Sequence, residues 1–122
     1  METQVNEVSI NGQVYVLKGE QEQMAESIDG MEYKIVRTYS AGVFAGYIKS
    51  RKGQEVEMVK ARRLWQWYGA MSLSELAVEG TTQPNDCKFA VEADVILINA
   101  IEILSVTAKA KKSIQGVKKW VK

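Results

Sequence analysis

Arg62, Arg63, Trp65 and Trp67 crowd into the stretch "KARRLWQWYGAMSLSEL". A guanidinium beside an indole stacks its cation on the ring face, and its planar fork of donors matches a phosphate. An indole also offers a flat apolar wall to a base, so these residue types suit a nucleotide or a single-stranded nucleic acid. Arg37, Tyr39, Tyr47 and Arg51 repeat the pairing of bases and aromatics one strand earlier, around Phe44. In an extended chain, alternation separates Met58, Lys60, Arg62, Leu64 and Gln66 from Val59, Ala61, Arg63, Trp65 and Trp67. Arg63 and both indoles then share a face, although a bulge would turn one of the indoles away. Tryptophans at period two also pack cores and subunit interfaces, and that plainer reading stands beside the ligand reading. The candidate ligand residues are Arg37, Tyr39, Tyr47, Arg51, Arg62, Arg63, Trp65 and Trp67.

Other chemistry is poorly supplied. The chain has no histidine, which removes the commonest general base and every Ser-His or Cys-His nucleophilic pair. Cys87 stands alone, so neither an intrachain disulfide nor a cysteine zinc site is expected, and a reducing compartment fits. No glycine-rich phosphate loop of either common type occurs. Glu55 and Glu57, and Glu92 and Asp94, place paired carboxylates on strand faces, where a solvated surface is the ordinary explanation. An enzyme is not expected, and no cofactor or metal is. Carboxylate chemistry on a divalent cation is the remaining enzymatic alternative.

These side chains need a scaffold, and 122 residues with 46% hydrophobic and 25% charged content suffice for one packed domain. "VSINGQVYVLK" (Val8–Lys18) places Asn-Gly between alternating runs, a strong hairpin signal. The polar stretch from Gly19 to Gly30 reads as a loop or linker. "YKIVRTYS", "GVFAGYIKSR" and "EVEMVKARRLWQW" read as three strands, with Gly42 and Gly46 marking curvature or a bulge. Ser72 to Glu75 is a capping box, and Gly80 closes the short helix that follows. Phe89–Val106 reads as one or two strands interrupted at Asn99-Ala100. Thr107 caps a short lysine-rich helix anchored by Ile114, Val117 and Trp120. The expected fold is mainly β (α+β): a small curved antiparallel sheet or barrel with two short helices. Residues 1–32 form an N-terminal hairpin and linker, and 33–122 a core domain with helices near 72–79 and 108–115.

Net charge is +1, but it is distributed in blocks. Residues 1–32 and 69–107 are acid-rich, 33–68 are base-rich, and the tail from Ala108 carries six lysines and no acid. Such blocks suit subunits pairing acidic on basic faces, or a basic pocket for an anion. A homo-oligomer built from dimers is expected. The lysine tail reads first as a solvated helix end and second as a contact for phosphate. No run is long and apolar enough to span a bilayer, so no membrane partner is expected.

"YKIVRTYSAGVFAGYIKSRKGQEV", "ARRLWQWYGAMSLSELAVEG", "CKFAVE" and "IEILSVTAKAKKSIQGVKKW" resemble a family of small uncharacterised phage and prophage proteins, over about Tyr33 to Trp120. The resemblance carries no known activity and no catalytic residue. It implies expression in the cytoplasm of a bacterial host. Small phage proteins without catalytic groups include inhibitors of host defence, and among these are oligomers that sequester nucleotide immune signals in basic, aromatic-lined pockets. Sequestration of a cyclic or ADP-ribose-type signal, a small anionic nucleotide, is the leading expectation. A virion or assembly component and a nucleic-acid accessory protein are the alternatives.

Overall fold

The computed structural model describes residues 23–121, and the hairpin expected at Val8–Lys18 lies outside them. β1 (Glu32–Thr38), β2 (Val43–Lys52) and β3 (Glu55–Gln66) form an antiparallel meander. α1 (Leu73–Glu79) follows, then a turn of 3-10 helix at Pro84–Asp86. β4 (Lys88–Phe89), β5 (Ala93–Leu97), β6 (Ala100–Ser105) and α2 (Ala108–Gly116) complete the order. The sheet runs β4-β3-β2-β1-β6, and β5 pairs with the stretch of β3 that β4 leaves free. The architecture is mainly antiparallel sheet with two helices, as expected, and the sheet is not closed.

The sheet buries both faces. Tyr33, Ile35, Ala45, Tyr47 and Leu64 meet Leu76 and Ala77 of α1 and Ala110 and Ile114 of α2. On the other face, Val36, Phe44, Val56, Met58, Leu97 and Ala100 form a second cluster drawn from every strand except β4. β5 and β6 lie on β3 and β1 respectively, yet only Ile98 and Asn99 separate them in sequence. A flat sheet would keep those strands apart with three others between them, so the sheet rolls around the second cluster.

A bulge in β3 decides which side chain joins which core. Ala45 pairs with Arg62 and Tyr47 with Val59, so two steps along β2 match three along β3. Lys60 takes φ of 51° in the left-handed region, and its displaced N–H donates to Asp94 Oδ1 at 3.2 Å. Gly46 makes room for the extra residue, since a Cβ there would lie 2.6 Å from Ala61 Cα. One inserted residue swaps the faces of everything after it. Met58 therefore joins Ala61, and Val59 joins Leu64, so the alternation expected along this strand breaks at Lys60, opposite Gly46.

The helices follow local chemistry. Ser72 Oγ accepts from Glu75 N–H at 3.1 Å, and Glu75 Oε1 accepts from Met71 N–H, one residue earlier than a standard capping box. Thr107 Oγ1 accepts from Ala110 N–H and donates to Val78 O, so one hydroxyl caps α2 and ties it to α1. The segment before β1 is fastened as well: Ala25 N–H donates to Val106 O, and Ala108 N–H to Gln23 O. Among the described residues, no helix is long and apolar enough to cross a membrane.

Candidate functional site

Arg62 and Arg63 are neighbours in sequence and opposites in environment, because consecutive strand residues project to opposite faces. Arg62 enters the core between β4 and α2 and is only 5% exposed. Its Nε donates to Ala90 O at 2.7 Å, Nη1 to Ile114 O and Val117 O, each at 2.8 Å, and Nη2 to Phe89 O at 3.1 Å. Four neutral carbonyls replace water around the cation, and burial still lowers its pKa, with Tyr33 and Glu92 opposing. Arg62 is a structural clamp. Expected to line a ligand site, it instead has its donors turned to backbone carbonyls.

Arg63 lies on the other face with no such partners. Its Cζ sits 4.7 Å from the ring centre of Phe44 and 5.3 Å from that of Trp65. Its Nε is buried without a hydrogen-bond partner, and it takes part in none of the ion pairs among the described residues. The rings hold the guanidinium in place, and no carboxylate among the described residues pairs with it.

Trp65 extends this arrangement outward and is 56% exposed. The indole that meets it belongs to Trp120, at 6.4 Å between ring centres and 64° between planes. Lys88 Nζ then lies 5.4 Å from the Trp120 ring. The result is a continuous shelf, Phe44–Arg63–Trp65–Trp120–Lys88, with a cation near each end and two exposed indoles between them. Beside it opens a cleft of about 560 Å³ whose lining includes Gln66, Tyr68, Gln83, Asn85, Lys88 and Trp120.

The other expected residues go elsewhere. Trp67 packs against the helix-covered core, so the two neighbouring tryptophans do not share the shelf. Tyr47 is buried edge-on against Tyr33 at 5.1 Å, with Lys111 Nζ 5.0 Å from its ring. The Tyr33 hydroxyl beneath is buried without a partner, and burial, reinforced by Tyr47, pushes the phenol pKa well up. Arg37 Nε pairs with Glu102 Oε1 at 2.8 Å, Arg51 Nε donates to Gly53 O, and Tyr39 stands exposed in the β1–β2 turn. Of the eight expected residues, only Arg63 and Trp65 meet.

One carboxylate of each pair has a local partner. Glu57 accepts from Ser50 Oγ and lies 3.8 Å from Lys49 Nζ, while Asp94 holds the bulge. Among the described residues, no group of three or more potential metal ligands forms.

Trp120 and Lys88 are the residues sequence reasoning missed. After α2 the chain returns to the sheet: Lys119 bridges to Phe89 in parallel, and Trp120 N–H donates to Phe89 O at 2.9 Å. The only linear sign of this was Trp120 itself, a large apolar ring within a lysine-rich tail.

No match to the chain is found among curated proteins or among solved structures. Residues 31–114 match a family described as a domain of unknown function, DUF6948. The matched stretch contains Arg63, Trp65 and Lys88, while Trp120 lies beyond it. It covers well over half of the sequence, from the residue before β1 into α2, and the chain therefore belongs to the DUF6948 family.

Proposed function

We propose that this protein binds, without transforming it, an anionic nucleotide-type ligand on the Arg63–Trp65–Trp120–Lys88 shelf. Its role in this reading is counter-defence: a phage protein that sequesters a cyclic or ADP-ribose-type immune signal in the cytoplasm of a bacterial host. The observation that carries the binding reading is Arg63, a charged fork held between two rings with no acceptor of its own. Phosphate supplies that acceptor, and the exposed indoles supply a stacking wall for the base. The resemblance to phage proteins supports the setting.

The test is calorimetry and thermal unfolding with cyclic dinucleotides, ADP-ribose and mononucleotides. A ligand at a hundred times its Kd adds about 2.7 kcal/mol of stability. Arg63→Ala, Trp65→Ala and Trp120→Ala are each expected to weaken binding by about 1–3 kcal/mol while the domain stays folded. A panel in which nothing binds rejects the proposal. A short single-stranded oligonucleotide binding more tightly than every nucleotide would move the site to the nucleic-acid class.

One observation favours self-association as a second reading, the basis of an assembly role. Ile96, Ile98 and Ile101 are exposed around the β5–β6 turn, Ile98 to 69%, and Tyr39 N–H donates to Asn99 O beside them. Exposed apolar groups contiguous at one end of a sheet mark an interaction site when the patch is large. Sedimentation at micromolar concentration is expected to show a dimer that Ile98→Glu dissociates. A wild-type monomer would exclude this reading.

A further inference from the structure

We infer that Arg62 is the positioning residue of the shelf, the group that sets Trp120 against Trp65 by clamping the C-terminal segment to β4. What the shelf binds rests on the reading above, but the clamp does not. Trp65 belongs to β3, whereas Trp120 comes from a segment beyond α2, and the two share no backbone ladder. The segment touches the sheet through the Phe89–Lys119 bridge and the bond from Trp120 N–H to Phe89 O.

Arg62 acts on both sides of that junction. Its Nη1 holds the carbonyls of Ile114 and Val117, which end α2 and begin the segment. Its Nη2 and Nε hold Phe89 and Ala90, the end of β4 and the residue after it. Phe89 O thus receives both Arg62 and the Trp120 amide. A planar fork is needed to reach carbonyls on two elements at once, and a lysine ammonium has neither the span nor the fixed geometry. The carbonyls at the end of α2 also carry the partial negative charge of a helix C-terminus, which favours a cation there. A buried arginine on one face of β3 thereby fixes the separation of two indoles exposed on the other.

Circular dichroism of the full chain tests this, because two indoles in close edge contact give an exciton couplet. Trp65→Phe and Trp120→Phe identify that signal by removing it. Arg62→Lys and Arg62→Gln are then measured, with trimethylamine N-oxide present to favour the folded state. The expected result is loss of at least half of the couplet while the sheet signal and a cooperative melt persist. An unchanged couplet in both variants would overturn the inference. Failure of both to fold would also overturn it, leaving Arg62 a purely structural residue. If wild-type protein binds no nucleotide but Arg62→Lys still loses the couplet, the nucleotide reading falls and the positioning role stands.

Discussion

Replacing Arg62 with methionine is expected to destabilise the domain by about 2–5 kcal/mol, whereas the same replacement at Arg63 is expected to cost less than about 1 kcal/mol. Methionine matches the apolar reach of arginine, so the two variants compare what the guanidinium does at each site. At position 62 its removal leaves the Ala90 and Val117 carbonyls without the donor they have in the native fold. Phe89 O keeps Trp120 N–H, and Ile114 O keeps Val117 N–H. Two orphaned acceptors, Val117 O buried and Ala90 O partly so, at about 1–3 kcal/mol each set the scale, and relief from burying a cation offsets part of it. At position 63 no hydrogen bond is lost, and a thioether retains favourable contact with the Phe44 and Trp65 rings. Urea unfolding of the three proteins side by side makes the comparison. Equal losses at the two sites would mean that the buried and open environments have been assigned wrongly.

The second large effect is expected at Phe89. Its ring is fully buried in the helix-covered core and lies beneath Arg62, whose Cζ is 5.6 Å from the ring centre. β4 has only two residues, paired to Leu64 and Gln66, so its ladder is too short to hold it in place alone. Side-chain burial must supply the remainder. Phe89→Ala is expected to cost about 3–5 kcal/mol, the range for deleting a buried aromatic ring and leaving a cavity. Because Phe89 O is also the anchor of Trp120, contact between the two exposed indoles should loosen with it. Thermal and urea unfolding measure the first effect, and tryptophan emission reports the second. A loss below about 1 kcal/mol would show that β4 is peripheral to the core.

Much of the fold was legible because its signals are local. The Ser72 and Thr107 caps act across three residues, and strand alternation needs only adjacent positions. Gly46 was visible as a mark of irregularity, because few other reasons put glycine inside a strand. The residue types on the strand were also legible: arginine and tryptophan together on β3 suit stacking and anion contacts when they reach the surface together.

Which arginine and which tryptophans meet at the surface was decided by tertiary structure. The bulge at Lys60 depends on Gly46 in the next strand and on Asp94, 34 residues away, and it reassigns every face after it. Arg62 is a clamp because carbonyls 27, 28, 52 and 55 residues distant converge on it. Trp65 finds Trp120 instead of Trp67 because the chain beyond α2 returns to β4. No periodicity within β3 encodes such encounters, since each requires chain segments far apart in sequence to be folded together first. The sequence by itself determined a curved antiparallel sheet carrying basic and aromatic residues. Only the tertiary structure buried one cation against carbonyls and left its neighbour half-buried between two rings.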